Sequence, residues 1–255
     1  MSANGKSRPA PADVIANRRW TRHLHPFPHY TAQNVFTRPA YESFVAAFLE
    51  LTRGRARYVA KHDTHGGTLS TGLDGPLAFF ASRGWRTAIA DLLGIDATPH
   101  LNIGLHHHEP GSADGFPHND LNPGWFVDYD GDDGSVLAQP EVCSYTSGQI
   151  LRAGAAPKQY VRAAAFLLYL ANPPWTEGDG GETGLYRYGS EDAQHPVAAV
   201  PPINNSMLLF ECTPYSYHGF IGNRRTERNS LVMWWHRERR EVVNRWGADA
   251  IIEYR

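Results

Sequence analysis

Beyond Pro99 the chain breaks into short apolar or alternating runs separated by Gly, Pro and Asn, and this rhythm restricts the fold more than any other feature. Leu101, Ile103 and Leu105 alternate with Asn102, Gly104 and His106, and further runs cover 161–171, 181–188, 206–212, 216–222 and 230–236. A period of two puts successive side chains on opposite faces of a strand, so each run reads as a strand. The first hundred residues follow another period. Tyr41, Phe44, Val45, Phe48 and Leu49 recur at helical spacing, as do Trp85, Ile89, Leu92 and Leu93 ahead of Gly94, a residue type that ends helices. Helices followed by a succession of strands imply an α+β, mainly β architecture built on an antiparallel sheet system.

The length of 255 residues fits one domain. Four stretches are expected within it: a flexible tail over 1–15, helical support over 40–98, a β core over 99–236, and a charged C-terminal helix over 237–255 carrying Val242, Val243 and Trp246. A net charge of -2 lacks the basic excess of a dedicated nucleic-acid binder. Two cysteines, Cys143 and Cys212, cannot build a disulfide framework, and no long apolar run marks a signal peptide or membrane span. The expectation is a cytoplasmic protein bound to neither membrane nor nucleic acid.

Several common catalytic patterns are missing: GxSxG, GxxxxGK[ST], HExxH and CxxC. His118 and Asp120 stand two residues apart, so a strand or its end aims both side chains the same way. His218 lies downstream, followed ten residues later by Arg228 and then Ser230. Two histidines and one carboxylate with open coordination positions form the facial triad of non-haem Fe(II) oxygenases. An Arg and a hydroxyl at i and i+2 suit the far carboxylate of a chelating co-substrate, because guanidinium binds carboxylate through two parallel hydrogen bonds.

The ordered set His118-Asn119-Asp120, YLANPPW followed by GDGGET, and His218 with Arg228-Asn229-Ser230 resembles the Fe(II)/2-oxoglutarate-dependent dioxygenases, within them the prolyl-4-hydroxylase-like branch. The resemblance covers about residues 99–236. It implies a double-stranded β-helix, the jelly roll related to cupins, with N-terminal buttressing helices. It implies Fe(II) held by His118, Asp120 and His218, 2-oxoglutarate anchored by Arg228 with Ser230, and O₂ as the oxidant. His108 stands where many relatives carry a tyrosine that contacts the co-substrate, and Arg162 is followed by Ala165 where a Thr is common. Halogenating relatives lack the carboxylate of the HxD motif, so Asp120 favours hydroxylation or a related oxidation.

On a strand only His106 and His108 of the triple-histidine run share a face. His108 is assigned to the co-substrate and His106, with Trp125 and Trp235, to the substrate. The segment 121–159 is long for a connection, and loops of that length beside a metal site are often lids, though whether this one is a lid is not legible. Its acidic part, 128–134, departs from a calcium loop at Asp133 and Gln139, and with Asp128, Asp130, Asp132 and Asp133 it offers a site for a cationic substrate. The expected activity is hydroxylation of a small molecule, such as an amino acid or natural-product intermediate, with release of succinate and CO₂. Hydroxylation of peptidyl proline or another protein side chain is the alternative enzyme reading, and a cupin-like barrel that binds without turnover is the non-enzymatic one. The oligomeric state is not legible.

Overall fold

The computed structural model describes residues 10–53, 59–61, 64–69, 75–129 and 134–254. Helices α1 (Pro11–Val14), α2 (Arg38–Arg53) and α3 (Arg83–Leu93) lie in the first hundred residues, with a 3-10 turn over Pro76–Ala81. Ser82 caps α3 by accepting from the Trp85 amide, and Gly94 closes it at φ 65°. Phe44 and Phe48 of α2 are buried as their spacing predicts, and so are Trp85 and Ile89 of α3, whereas Leu92 is exposed. The sequence PLAFFA adds Phe79 and Phe80 to this layer, where they pack with Phe36, Phe44 and Trp85. Edge-on and tilted aromatic packing of this kind adds about 0.5–1.5 kcal/mol per pair to simple burial.

Ten described strands form the major sheet: β1 (Thr21–His23), β2 (His29–Gln33), β3 (Val59–Lys61), β4 (Thr64–Leu69), β5 (His100–His108), β6 (Pro123–Phe126), β7 (Val136–Leu137), β8 (Lys158–Tyr169), β11 (Ser206–Glu211) and β13 (Arg228–Glu238). Its order is β1-β2-β11-β8-β13-β5-β4-β3, with β6 beside β8 and β7 beside β5. The minor sheet is β10-β9-β12, made of β10 (Ala198–Val200), β9 (Thr183–Leu185) and β12 (His218–Phe220). Central strand β13 sets the two faces. Leu231, Met233 and Trp235 join Leu101, Ile103, Leu105, Phe166 and Leu168 in the core under the helices. The alternate residues Val232 and Trp234 face a second core, which includes Tyr169, Leu185, Val200 and Phe210 and fills the space between the sheets.

The structure departs from the sequence expectations at several places. Residues 11–14 are a helix rather than a frayed tail, with Val14 buried; residues 1–9 lie outside the described residues. The first hundred residues also supply β1 to β4, with β2 hydrogen-bonded to β11 and β4 to β5, so the stretch 40–98 is not helical throughout. The C-terminal helix α4 (Arg239–Trp246) stops short of the expected 237–255, because Gly247 breaks it at φ 88° and the chain turns back. The described part of the segment 121–159, whose structure was not legible in sequence, is built onto the sheet: β6 pairs with β8, β7 pairs with β5, and Phe126, Val136, Ala138 and Tyr160 form a core of their own. Among the described residues no helix is long and apolar enough to cross a membrane.

Candidate active site

The HxD turn and the start of β12 are tied by paired backbone hydrogen bonds, His118 N to His218 O at 2.9 Å and the reverse at 2.8 Å. That bridge sets the imidazole centroids 4.5 Å apart. Each Nδ1 lies near the carbonyl two residues earlier, Phe116 at 2.9 Å and Ser216 at 3.0 Å. A carbonyl only accepts, so each Nδ1 carries its proton and each Nε2 keeps a lone pair for a metal. The Nε2 atoms of His118 and His218 stand 3.7 and 3.4 Å from the Asp120 oxygens, and the three side chains offer ligand atoms all within 4.8 Å of one another. Asp120 adopts φ 60°, a left-handed conformation that Asp tolerates better than most residues. Asn119 holds the turn in place: its side chain accepts from Leu121 N and donates to Pro214 O, while Ser216 Oγ donates to its carbonyl.

Both oxygens of Asp120 are hydrogen-bonded by the wall of the major sheet. Arg162 Nη1 donates to Oδ1, and Trp234 Nε1 donates to Oδ2 at 2.6 Å. The Arg162 guanidinium also lies over the Trp234 ring, 4.1 Å from its centroid. Burial alone would raise the Asp120 carboxyl, but Arg162, with His218 and His118, holds it well below the usual carboxylate range. The site therefore presents two neutral nitrogens and one anionic oxygen, a hard and borderline donor set suited to Fe(II).

Arg228 is 3 % exposed and donates to Ser230 Oγ at 2.9 Å and Thr183 Oγ1 at 3.2 Å. Thr183 is in turn 2.7 Å from the Tyr169 hydroxyl, and the guanidinium lies 5.3 Å from the Tyr169 ring and 5.4 Å from that of Phe220. Among the described residues no carboxylate lies within ion-pair distance of Arg228, and its Nε has no partner. A buried guanidinium surrounded by hydroxyls and ring faces is chemically suited to pairing with a carboxylate.

His108 is buried, stacks on Phe220 at 3.8 Å and is pushed down to about 2 by burial and by Arg228, so it stays neutral beside that cation. His106, half-buried on the same face, is pushed down to about 4 by burial and Arg228, and its ring lies 6.1 Å from Trp234. The assignment of Trp235 to the substrate is corrected: alternation on β13 sends it into the helix-backed core, and Trp234 reaches the site instead. Trp125 packs over Gly148 on the 121–159 segment. Asp128 is occupied by Lys158 and by His100, the latter at 2.9 Å, while Asp130, Asp132 and Asp133 lie outside the described residues. Sequence reasoning gave no role to Arg162 or Asn119, and although it puts Trp234 and Trp235 on opposite faces of a strand it assigns Trp235, not Trp234, to the substrate. The one available signal was parity along β13, which places Trp234 with Arg228 and Ser230.

The 2OG-Fe(II) oxygenase superfamily profile matches residues 141–236, a span that contains His218, Arg228 and Ser230. Comparison with curated proteins gives no significant match. Among solved structures, a Pseudomonas putida prolyl-4-hydroxylase superposes over 82% of this chain and 92% of its own, at 15% identity and TM-score 0.53. A Trichoplax adhaerens prolyl hydroxylase, in complex with a hypoxia inducible factor oxygen degradation domain peptide fragment, covers 85% of this chain and 86% of its own at 13% identity and TM-score 0.55. A Phytophthora capsici prolyl 4-hydroxylase covers 82% of this chain and 58% of its own at 18% identity and TM-score 0.51. These likenesses concern the fold, a double-stranded β-helix with helices on one face. Residues 141–236 are thus similar to the 2OG-Fe(II) oxygenase superfamily, and His118, Asp120 and His218 converge as a candidate metal site of the kind its enzymes use.

Proposed function

We propose that His118, Asp120 and His218 hold Fe(II), that Arg228 with Ser230 anchors 2-oxoglutarate, and that the enzyme hydroxylates a C–H bond of a small molecule. The observation that carries this reading is the buried Arg228, with no carboxylate partner among the described residues, on the same sheet face as the triad. Bound iron, with 2-oxoglutarate and O₂, supplies the oxidising power, and succinate and CO₂ are the by-products. The chain's own part is positional. The Phe116 and Ser216 carbonyls orient the two imidazoles, and Arg162 and Trp234 hold both carboxylate oxygens so that Asp120 stays ionised. Arg228 offers its guanidinium to the distal carboxylate, with the Ser230 and Thr183 hydroxyls already turned toward it. Val232, Tyr169 and Phe220 line that end with apolar surface, which limits water and strengthens the charge pairing.

The small-molecule assignment draws on the segment after Asp120, which packs against the sheet and brings the Tyr145 hydroxyl to Arg162, the partner of Asp120. A peptide substrate is the second reading, favoured by one feature: Phe116 and Tyr215, 68 and 67 % exposed, flank the two metal-binding turns as an aromatic rim. Succinate release from 2-oxoglutarate, measured with free amino acids and small amines in one series and proline-containing peptides in another, tests both. Stimulation by small molecules alone is the expected outcome. Stimulation by peptides alone would transfer the activity to protein side chains.

A further inference from the structure

After α4 the chain does not run off into solvent. Gly247 breaks the helix, a 3-10 turn follows over Ala248–Ala250, and Ile251 inserts into the core between the sheets. The next residues are stitched to the segment directly after the metal-binding turn: Ile252 N donates to Leu121 O at 3.0 Å and Asn122 Nδ2 donates to Ile252 O at 2.7 Å. Glu253 pairs with Arg239 at 3.0 Å. Tyr254 then places its ring 6.4 Å from that of Tyr145, at 58°. Tyr145 in turn joins the wall of the site. Its hydroxyl lies 2.8 Å from His236 Nε2 and accepts from Arg162 Nε at 3.2 Å, on the same guanidinium that pairs with Asp120.

We propose that the C-terminal segment Ile251–Tyr254 is part of the metal site's support, with Tyr254 a positioning residue that fixes Arg162 through Tyr145 and so holds the Asp120 carboxylate in place. The inference rests on His118, Asp120 and His218 being the metal ligands. Its physical basis is solvent exclusion. The Tyr254 ring is half-buried with its hydroxyl shut from solvent, and it packs on Tyr145, whose own hydroxyl accepts from Arg162. Without it, water reaches Arg162 from the side opposite Asp120, raises the local dielectric and weakens the pair that orients the carboxylate. Outer-shell partners of metal ligands typically influence affinity by about 10- to 100-fold. A site formed by residues 118–218 thus depends on Ile251–Tyr254, far from it in sequence.

The test measures Co(II) binding to the metal-free full-length protein by calorimetry at neutral pH, without co-substrate. Tyr254→Ala is expected to weaken Co(II) binding by about tenfold. Tyr254→Phe should restore most of it, because enclosure rather than the hydroxyl carries the effect. At saturating metal, the 2-oxoglutarate requirement of Tyr254→Ala should match wild type, since Arg228 is untouched. Phe48→Leu, on the helix-backed face, supplies a control of lowered thermal stability that should keep wild-type Co(II) affinity. Wild-type affinity in Tyr254→Ala, or an equal loss in Phe48→Leu, would overturn the proposal while leaving the triad intact. Absence of Co(II) binding in wild type would overturn the triad assignment, and the tail's role with it. If Tyr254→Ala does not fold, Tyr254→Leu, which keeps bulk but not the ring, carries the same expectation in weaker form, and unchanged affinity there counts against the tail.

Discussion

A guanidinium shut away among hydroxyls and ring faces is poorly solvated. At Arg228 burial pushes the group down from its ordinary value, and among the described residues no carboxylate offsets that. The residue is therefore expected to reduce the stability of the protein without its co-substrate. Arg228→Met, similar in length and uncharged, should stabilise the metal-free protein by about 1–4 kcal/mol, seen as a raised thermal midpoint. The same variant should lose 2-oxoglutarate binding by about two orders of magnitude, as expected for a charge-assisted pair, and keep metal affinity. Parallel melting and 2-oxoglutarate titrations check this, and a less stable Arg228→Met would mean that the cation is better paired than its neighbours indicate. Trp234 gives the complementary case. Trp234→Phe removes the 2.6 Å hydrogen bond to Asp120 Oδ2 but keeps an aromatic under Arg162, so metal affinity should fall by about tenfold with the 2-oxoglutarate requirement unchanged. The converging His118, Asp120 and His218 were legible because ligand chemistry dictates residue type and spacing. Arg162 and Asn119 were not, since a residue that holds a ligand can come from any element that passes nearby.

Among the elements, those with a strong period were readable and those made by pairing were not. The α2 and α3 stripes and the alternation of β5 are local properties, and they reappear with Phe44, Phe48, Trp85 and Ile103 buried. β1, β2, β6 and β7 have two to five residues each and exist because a neighbouring strand offers hydrogen bonds, which no local pattern records. The tryptophan pair on β13 shows what a single parity step decides: Trp235 lies with Phe166 under the helices while Trp234 reaches the metal ligand. β6 also carries a packing constraint. A Cβ on Gly124 would collide with the Tyr145 ring and lie 2.9 Å from His236 Nε2. Gly124→Ala should displace Tyr145 from its 2.8 Å contact with His236 and destabilise the protein by about 1–3 kcal/mol. Chemical denaturation measures the loss, and an unchanged midpoint would show that β6 moves away freely.

At the scale of the whole molecule, the two sheets enclose titratable groups that the fold holds in one state. His29, His100, His106, His108 and His236 are all pushed down, in each case chiefly by burial, with His106 reaching about 4 and His108 about 2. A histidine whose folded value is depressed binds its proton more weakly when folded than when unfolded. Between the two values the unfolded chain holds more protons, so stability rises with pH there and falls as pH drops. For His106 the window runs from about 6.5, its ordinary value, down to about 4. Its contribution is complete above that window and lost through it. Asp120 has the same sign at lower pH, because its carboxyl is held down by Arg162 and the triad histidines. Stability conferred by that ion pair is present above the ordinary carboxylate range and disappears below it. The metal-free protein should accordingly unfold at progressively lower temperature as pH is taken from neutral into the acid range, with no plateau until the histidines have titrated. His106→Gln should flatten that slope by up to about one proton between pH 6.5 and 4. Thermal melts across the range give the slope directly, and an unchanged slope in the variant would place His106 in water rather than in the wall of the site.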